Sequence, residues 1–153
     1  MQLTVREILA LPELTAGRPE VVAAEDGLDR AVRWVHVAES QARAGDELAA
    51  TLLETRRHML HDRATHNPAD FSVEASRVNP WNDPRVSHED GVRYSLEHSA
   101  LYGSASHVAE QVAALRDAGV YHVLCQMSLG YLPHAKIMES MRRFGEDVIP
   151  RFR

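Results

Sequence analysis

The feature that most constrains the fold is a short apolar run near the C-terminus, VYHVLCQMS at residues 120–128. A near-continuous apolar run of this length is typical of a strand that is buried on both faces within a parallel sheet. Helical patterns lie on either side of it, at residues 105–118 and 134–148, and Gly119 separates the first pattern from the strand. The order helix, strand, helix predicts an α/β fold, or α+β when the N-terminal elements are included.

The two helices that flank this strand have recognisable ends and apolar faces. Ser104 is placed to cap the first helix, Gly119 to end it, and Pro133 suits the first turn of the second helix. Within the strand, Cys125 is predicted to be a small core residue rather than a nucleophile. The residues predicted to face inward are Val108, Val112 and Leu115 in the first helix, and Ile137, Met138, Met141, Phe144 and Val148 in the second.

Two further helical patterns lie in the middle of the chain. One covers residues 46–63, where apolar residues recur at helical spacing. The other begins at Ser87 and Asp90, which have the spacing of a capping box, and continues to residue 101. Between them, residues 64–86 are rich in Pro, Asn and Asp, which indicates a long loop or a junction between two parts of the chain.

The N-terminal part predicts a short helix followed by a hairpin. Thr4 and Glu7 have capping-box spacing ahead of an apolar helical face. Two runs rich in β-branched residues, at residues 21–24 and 31–37, flank an Asp-Gly pair. This arrangement favours two antiparallel strands joined by a tight turn.

Composition excludes several classes of protein. The chain is 44% hydrophobic and 25% charged, which is ordinary for a soluble globular protein. No apolar run approaches the roughly 20 residues that a membrane helix needs, so we expect a cytoplasmic protein with no membrane partner. The formal net charge of −5 argues against a nucleic-acid partner. A single cysteine excludes an internal disulfide framework and a multi-thiolate metal site.

Two sequence segments in the C-terminal half resemble a known family: FSVEASRVNPWNDPRV and RYSLEHSALYGSASHVAEQVAALRDAGVYHVLCQMSLGYLPHAKIMESMRRFGEDVIPRF. Through them, residues 71–153 resemble the last part of luciferase-like flavin-dependent monooxygenases. The resemblance implies the end of a TIM barrel, with its seventh outer helix, eighth strand and final helix. It also implies a flavin cofactor, either FMN or a deazaflavin, and a small organic substrate. A complete barrel needs at least about 200 residues, so the chain holds only part of one.

The N-terminal phrases LTVREILALPEL and GLDRAVRWVHVAES carry a second resemblance. Residues 3–39 resemble the start of the N-terminal domain of PucR-type purine-catabolism regulators, which implies a regulatory or ligand-sensing module. Nothing in the chain resembles the DNA-binding region of such regulators. The two resemblances together predict a PucR-like piece at residues 1–45, a helix and Pro/Asn-rich junction at 46–86, and a barrel segment at 87–153.

The candidate cofactor-binding residues come from the barrel resemblance and from the rule that barrel enzymes place their active sites at the carboxyl ends of strands. They are Gln126, Ser128, Gly130 and Tyr131. Gln126 and Ser128 could hydrogen-bond a flavin or a substrate, and Tyr131 could line the pocket. The simpler alternative is that these residues end a strand and begin a loop. No catalytic residue is assigned.

One helix also presents residues that often bind metals. Glu54, His58 and His61 are spaced i, i+4 and i+7, and His66 follows. Carboxylates and imidazoles are ordinary ligands of zinc and iron. No recognised metal motif has this spacing, however, so we predict no metal site.

The sequence therefore leads to two functional hypotheses. The chain is a truncated or fused luciferase-like monooxygenase that is not fully active alone, or it is a regulator-related ligand-sensing module. For the second hypothesis, Trp34 and His36 on one hairpin face would form a sensing surface, although packing against a helix is simpler. In either case the last strand needs a partner, because an open strand leaves its backbone groups unpaired. We expect it to pair with the N-terminal hairpin or with a second copy in a homo-oligomer.

Overall fold

The protein's computed structural model describes residues 22–23, 29–66 and 79–153. The strands are β1 (Val22–Ala23), β2 (Asp29–Val37), β3 (Ala100–Gly103) and β4 (His122–Gln126). The helices are α1 (Gln41–His66), α2 (His88–His98), α3 (Ala105–Asp117) and α4 (His134–Arg143), and a π turn (Phe144–Val148) and a 3₁₀ turn (Ile149–Phe152) follow α4. No helix in this part of the chain is long and apolar enough to cross a membrane. The predicted N-terminal helix and the Asp-Gly turn lie outside the described residues.

The described sheet is organised around β2, to which the other three strands are hydrogen-bonded. β1 pairs antiparallel with the first residues of β2, which confirms the predicted hairpin. β3 pairs in parallel with residues 34–37 of β2, and β4 pairs in parallel with residues 30–34. Parallel strands connected through helices make a mixed α/β fold, as the sequence predicts. The last strand has therefore found its partner in the N-terminal hairpin.

The last strand is exposed, which corrects the prediction that it is buried on both faces. Within β4 only Val123 is partly buried and packs against the core. Leu124 is 50% exposed, and Tyr121, just before the strand, is 86% exposed. Cys125 is exposed as well, so it is not the small core residue that the sequence predicted. The physical reason is that, among the described elements, β4 contacts chiefly β2, so no helix covers its outer face, and it also forms an edge of the sheet.

A strand that the sequence pattern did not indicate follows α2. The helix predicted to continue to residue 101 ends at His98, and Ala100–Gly103 forms β3. The amide of Trp34 donates a hydrogen bond to the carbonyl of Ser99 at 3.0 Å, which begins the pairing of β2 with β3. Pairing with a distant strand has therefore overridden the helical periodicity of these residues, as tertiary context commonly does.

The ends of the helices follow the predicted caps. Ser87 and Ser104 each accept a hydrogen bond from the amide three residues further on, at 3.0 and 3.3 Å. At the end of α3, Gly119 has a φ of 90° and its amide donates to the carbonyl of Arg116, while the next amide donates to the carbonyl of Leu115. This is a Schellman arrangement, which requires a positive φ and so favours glycine.

The inward face of α4 differs from the predicted one. Met138 and Met141, two of the five residues predicted to face inward, are 51% and 48% exposed, whereas Val148 is buried. The face turned towards the sheet is centred on Ser140, whose hydroxyl accepts a hydrogen bond from the amide of Val37 at 2.8 Å. With Ser140 on the contact face, the two methionines lie 100° or more away around the helix, and their side chains therefore face solvent.

The side chains of β2 contact two separate clusters of buried residues. One cluster consists of Ala31, Val35, Val37, Leu101, Val108, Ala109, Leu115, Val120 and Val148. The other consists of Leu48, Leu52, Trp81, Val92, Ala100, Leu129 and Leu132. Successive side chains of a strand point to opposite faces, so Ala31, Val35 and Val37 of β2 join the first cluster and Trp34 packs against the second.

A buried arginine ties the loop before α2 to α1. Arg56 of α1 has no exposed surface. The hydrogen-bond partners of its guanidinium, at 2.8–3.2 Å, are the carbonyl oxygens of Pro80, Trp81, Asp83 and Val86 and the Nδ1 atom of His88. Gly91 of α2 lies so close that a Cβ atom there would be 2.6 Å from the Cζ atom of Arg56. A side chain at this position would therefore displace the guanidinium.

We expect Arg56→Met to destabilise the fold strongly, because the carbonyl groups of the loop would stay buried and lose their donors. The free energy of unfolding should fall by about 3 kcal/mol or more, since each buried unsatisfied polar group costs about 1–3 kcal/mol. Arg57→Met is the matched control, because Arg57 is the next residue but is 47% exposed and pairs with Glu54 at the surface. Urea denaturation measures both variants, and equal losses would contradict the role assigned to Arg56.

We also expect the chain to self-associate through the exposed edge of β4. Residues 119–128 contain no Lys, Arg, Asp or Glu, the charged residues that often protect an edge strand from pairing with another chain. Antiparallel pairing of two β4 strands should give dimers at high protein concentration, and Leu124→Lys should abolish them. Met138→Lys is the control, because Met138 is as exposed but lies on α4. Sedimentation velocity that shows a monomer at every concentration would contradict this expectation.

Candidate functional site

Two recesses in the described part of the chain lie along β2. The first, here named the tryptophan cleft, measures about 220 Å³ and is lined by Val32, Trp34, Asn79, Trp81, Ser95, Ser99 and Gln126. The second, here named the histidine pocket, measures about 160 Å³ and lies where β2 ends, beside α1 and α4. Its titratable side chains are His36, Glu39, Arg43, Glu47, Lys136, Glu139 and Arg143.

Two indole rings and a carboxamide form the walls of the tryptophan cleft. The rings of Trp34 and Trp81 meet edge to face, with their centroids 4.8 Å apart. The Nε1–H group of Trp34 donates to the Oε1 atom of Gln126 at 3.1 Å. These two residues are register partners in β2 and β4, so their side chains emerge side by side. Trp81 is placed through its backbone, since its amide donates to Asn79 and its carbonyl accepts from Arg56, both at 3.0 Å.

A buried hydroxyl in the wall of the cleft has no hydrogen-bond partner among the described residues. It belongs to Ser95 of α2, which is 1% exposed. Buried side-chain polar groups are nearly always paired, and leaving one unpaired costs about 1–3 kcal/mol. A ligand in the cleft that offered a polar atom to Ser95 would satisfy this hydroxyl. The residue therefore marks the cleft as a place where a polar ligand would gain binding free energy.

The tryptophan cleft is uncharged. Its seven described lining residues include two indoles, two carboxamides and two hydroxyls, and none of them titrates near neutral pH. General acid–base catalysis needs a titratable group within hydrogen-bond reach of the substrate. The cleft can therefore hold a planar, polar ring between aromatic and amide groups, but its lining supplies neither a base nor an acid.

The four residues predicted to bind a flavin are divided between the cleft and a surface segment. Gln126 lines the cleft. Ser128, Gly130 and Tyr131 lie further on, in the exposed part of the connection that leads to α4. The ring of Tyr131 stacks on the ring of His58 of α1, with centroids 5.2 Å apart. The structure therefore brings one of the four predicted residues into the recess.

The helical side chains that were considered as metal ligands make other contacts. Glu54 is 3.8 Å from the Nε2 atom of His58, and His61 is exposed. Among the residues that the structure describes, no group of three His, Cys, Asp or Glu side chains could hold a metal ion. The side chain of His66 lies outside the described part of the chain.

The histidine pocket is built around Glu47 of α1. One carboxylate oxygen of Glu47 is 2.8 Å from the Nε2 atom of His36, and the other accepts from the Nζ atom of Lys136 at 2.7 Å and the Nε atom of Arg43 at 3.1 Å. Burial alone would raise the pKa of Glu47, but the hydrogen bonds from Lys136, His36 and Arg43 outweigh it and lower the pKa to about 2. The carboxylate is therefore ionised at neutral pH.

Reasoning from the sequence identified part of both recesses. It placed Trp34 and His36 on one hairpin face, with packing or sensing as alternatives, and the structure puts each of them in the wall of a recess. It missed Glu47, Lys136 and Ser95, because their neighbours in space are distant in the chain. The available signal was the alternation of Trp34 and His36 with Val35 and Val37 in the second half of β2.

Comparison with known proteins does not place the chain in a family. No protein-family model matches it, and no curated protein is significantly similar to it.

We expect Glu47→Gln to destabilise the protein at neutral pH and much less in acid. The folded-state pKa of Glu47 lies below its ordinary value of 4.5. The ionised carboxylate therefore stabilises the fold above about pH 4.5, and this contribution is lost as the pH falls towards about 2. Because the group is partly solvated, the loss at pH 7 should be about 1–2 kcal/mol.

The control for this experiment is Glu54→Gln, since Glu54 lies on the same helix, is 46% exposed and pairs with Arg57 at the surface. Urea denaturation of both variants and the wild type between pH 7 and pH 3 gives the comparison. The difference between wild type and Glu47→Gln should shrink as the pH falls. A difference that is constant over this range would show that the carboxylate is not held ionised by its neighbours.

Proposed function

We propose that the chain is a flavin-binding remnant of a luciferase-like monooxygenase, one that holds the flavin ring but does not complete the oxygenation alone. The observation that carries the proposal is the pairing of Trp34 with Gln126 in the tryptophan cleft, at 3.1 Å. Gln126 is the last residue of β4, and the carboxyl ends of parallel strands are where α/β proteins bind ligands. The sequence resemblance supplies the flavin as the ligand class.

The chemistry of the cleft suits the ring of a flavin. A flavin ring is planar and aromatic, and its pyrimidine edge carries alternating carbonyl and N–H groups. Trp34 offers an aromatic surface for stacking, while Gln126 and Asn79 offer carboxamide donors and acceptors for that edge. The unpaired hydroxyl of Ser95 adds one more polar contact.

The same cleft lacks what the rest of a flavin nucleotide needs. Its described lining contains no Lys or Arg, so the phosphate of FMN would find no cationic partner there. Its volume of about 220 Å³ lies below the roughly 300–1,000 Å³ of ordinary ligand pockets. The cleft therefore suits a ring without its phosphorylated tail, and binding should be weak.

Productive oxygenation would also need a closed site. A bound flavin would supply the redox chemistry, while the protein would have to orient it and exclude water. Val32 at the cleft is 53% exposed, and Leu124, its register partner in β4, is 50% exposed. Water would reach a ring bound beside these residues, so we propose binding without turnover.

A second candidate is a ligand-sensing module related to PucR-type regulators. The observation that favours it concerns β2, which lies in the segment that resembles these regulators. β2 contributes Trp34 to one recess and His36 to the other. An uncharged cleft with aromatic walls and no base is suited to sensing a neutral heteroaromatic ring. In this case a purine base, rather than a flavin, should be the better ligand of the tryptophan cleft.

Titration of flavin fluorescence tests the first candidate. We expect riboflavin and FMN to be quenched with the same dissociation constant, weaker than about 1 μM, which corresponds to roughly 8 kcal/mol. Trp34→Ala and Gln126→Ala should each weaken binding about fivefold or more, because they remove the stacking surface or the amide. Tyr131→Ala is the matched control, since Tyr131 is an exposed aromatic residue that follows β4 in the chain and lies outside the cleft.

Three results would contradict the proposal. A submicromolar affinity for FMN with oxidation of a substrate would restore a complete enzyme. Weakening by Tyr131→Ala alone would move the site to the surface segment. Tighter binding of a purine base such as hypoxanthine than of riboflavin would favour the sensing module.

A further inference from the structure

The histidine pocket contains a buried nitrogen atom without a partner. His36 is 1% exposed, and its Nδ1 atom has no hydrogen-bond partner among the described residues. Buried polar atoms rarely lack a partner, because the hydrogen bonds to water that they lose on burial are then not replaced. Since His36 also lines a cavity of about 160 Å³, the missing partner can be a bound molecule.

The protonation of the ring determines what kind of group that molecule must offer. Glu47 is held as an anion by Lys136 and Arg43, and an ionised carboxylate only accepts hydrogen bonds. The Nε2 atom of His36, 2.8 Å from Glu47, therefore carries the proton. In the neutral ring Nδ1 is then an acceptor, and it requires a donor such as an ammonium, amide or hydroxyl group.

The opposite side of the pocket, at the start of α4, favours an anionic group. α4 begins there, and Pro133 occupies its N-cap position instead of the first turn that the sequence predicts. The helix has no side-chain cap and no acidic residue in its first turn. The amides of Lys136 and Ile137 donate to the carbonyl of Pro133, which leaves those of His134 and Ala135 for an acceptor. Ala135 and Lys136 of this turn line the pocket, and Lys136 uses one of its three N–H donors on Glu47.

The charges around the pocket balance. Arg43, Lys136 and Arg143 are the cations, and Glu39, Glu47 and Glu139 are the anions, so the formal sum with a neutral His36 is zero. Each carboxylate is paired within the protein, since Glu39 contacts Arg43 and Glu139 contacts Arg143. A lone anion would meet three carboxylates, and a lone cation would meet three basic groups and the positive end of α4. A molecule that carries both charges can place each one beside groups of opposite sign, and so avoids both kinds of repulsion.

We propose that the histidine pocket binds a small zwitterionic α-amino acid. Its ammonium group donates to the Nδ1 atom of His36, and its carboxylate faces Lys136 and the N-terminus of α4. The cavity of about 160 Å³ limits the side chain to a small one. This site is separate from the tryptophan cleft, and it stands whether or not that cleft binds a flavin.

The test uses L-alanine and its two halves as probes of the wild-type chain. Acetate keeps the carboxylate and lacks the ammonium group, whereas methylamine keeps the amine and lacks the carboxylate. The ¹⁵N chemical shifts of the His36 ring report on hydrogen bonding at Nδ1 directly. L-Alanine should move the Nδ1 resonance, with a dissociation constant at least about tenfold below that of either half, because each lost charge-assisted hydrogen bond is worth about 1.5–3 kcal/mol.

Variants on α4 provide a second measurement that does not depend on His36. Lys136→Met should weaken L-alanine binding about tenfold or more, since it removes a charged donor for the carboxylate. Arg142→Met is the matched control, because Arg142 lies on the same helix, is 50% exposed and does not line the pocket, and its removal leaves Glu139 paired with Arg143. Circular dichroism of both variants establishes that α4 is intact.

Two outcomes would overturn the proposal. One is an unchanged Nδ1 resonance at L-alanine concentrations up to about 10 mM, at which even a 1 mM site is about 90% filled. The other is an equal response to acetate or to methylamine, which would show that the pocket attracts a simple ion. A loss of flavin binding in the cleft would leave these measurements unaffected, so the two proposals fail separately.

Discussion

The interaction on which the rest of the structure depends is the buried guanidinium of Arg56. It donates to four loop carbonyls and contacts His88, so one side chain of α1 fixes the segment that leads into α2. Burial lowers the pKa of Arg56, but arginine stays charged when it is buried, and its planar fork reaches several acceptors at once. Lysine could not reproduce this geometry. Because one of the bonds ends on the carbonyl of Trp81, the same guanidinium also positions a wall of the tryptophan cleft.

β2 connects this scaffold to both recesses. The side chains of Ala31, Val35 and Val37 are buried in one cluster, and the backbone of β2 pairs with every other described strand. The even-numbered residues Trp34 and His36 then face the two recesses, two positions apart and therefore about 7 Å from each other along the strand. Neither ring is free to move far, since Trp34 is bonded to Gln126 and His36 to Glu47. The recesses are thus preorganised by the most constrained strand of the fold.

The parts that could be predicted from the sequence are those encoded locally. Ser87, Ser104 and Gly119 act on residues three or four positions away, so the starts of α2 and α3 and the end of α3 follow from them. β3 could not be predicted, because its four residues become extended only by pairing with β2. Most of the candidate site was missed for the same reason: the contact of Glu47 with Lys136 joins two helices that no local pattern relates. Gln126, which lines the cleft, could be singled out because the rule about strand ends needs only the strand itself.

The two recesses lie on the same strand, but different interactions would stabilise a ligand in each of them. The tryptophan cleft relies on stacking and on amide hydrogen bonds, which salt screens little because no described lining residue is charged. The histidine pocket relies on paired charges around Glu47, which is 13% exposed, so its hydrogen bonds are partly protected from screening. A ligand of zero net charge in the pocket would add no net charge beside the cleft. Two neighbouring sites can therefore act on one strand without competing, since one selects for shape and aromatic surface and the other for the separation of opposite charges.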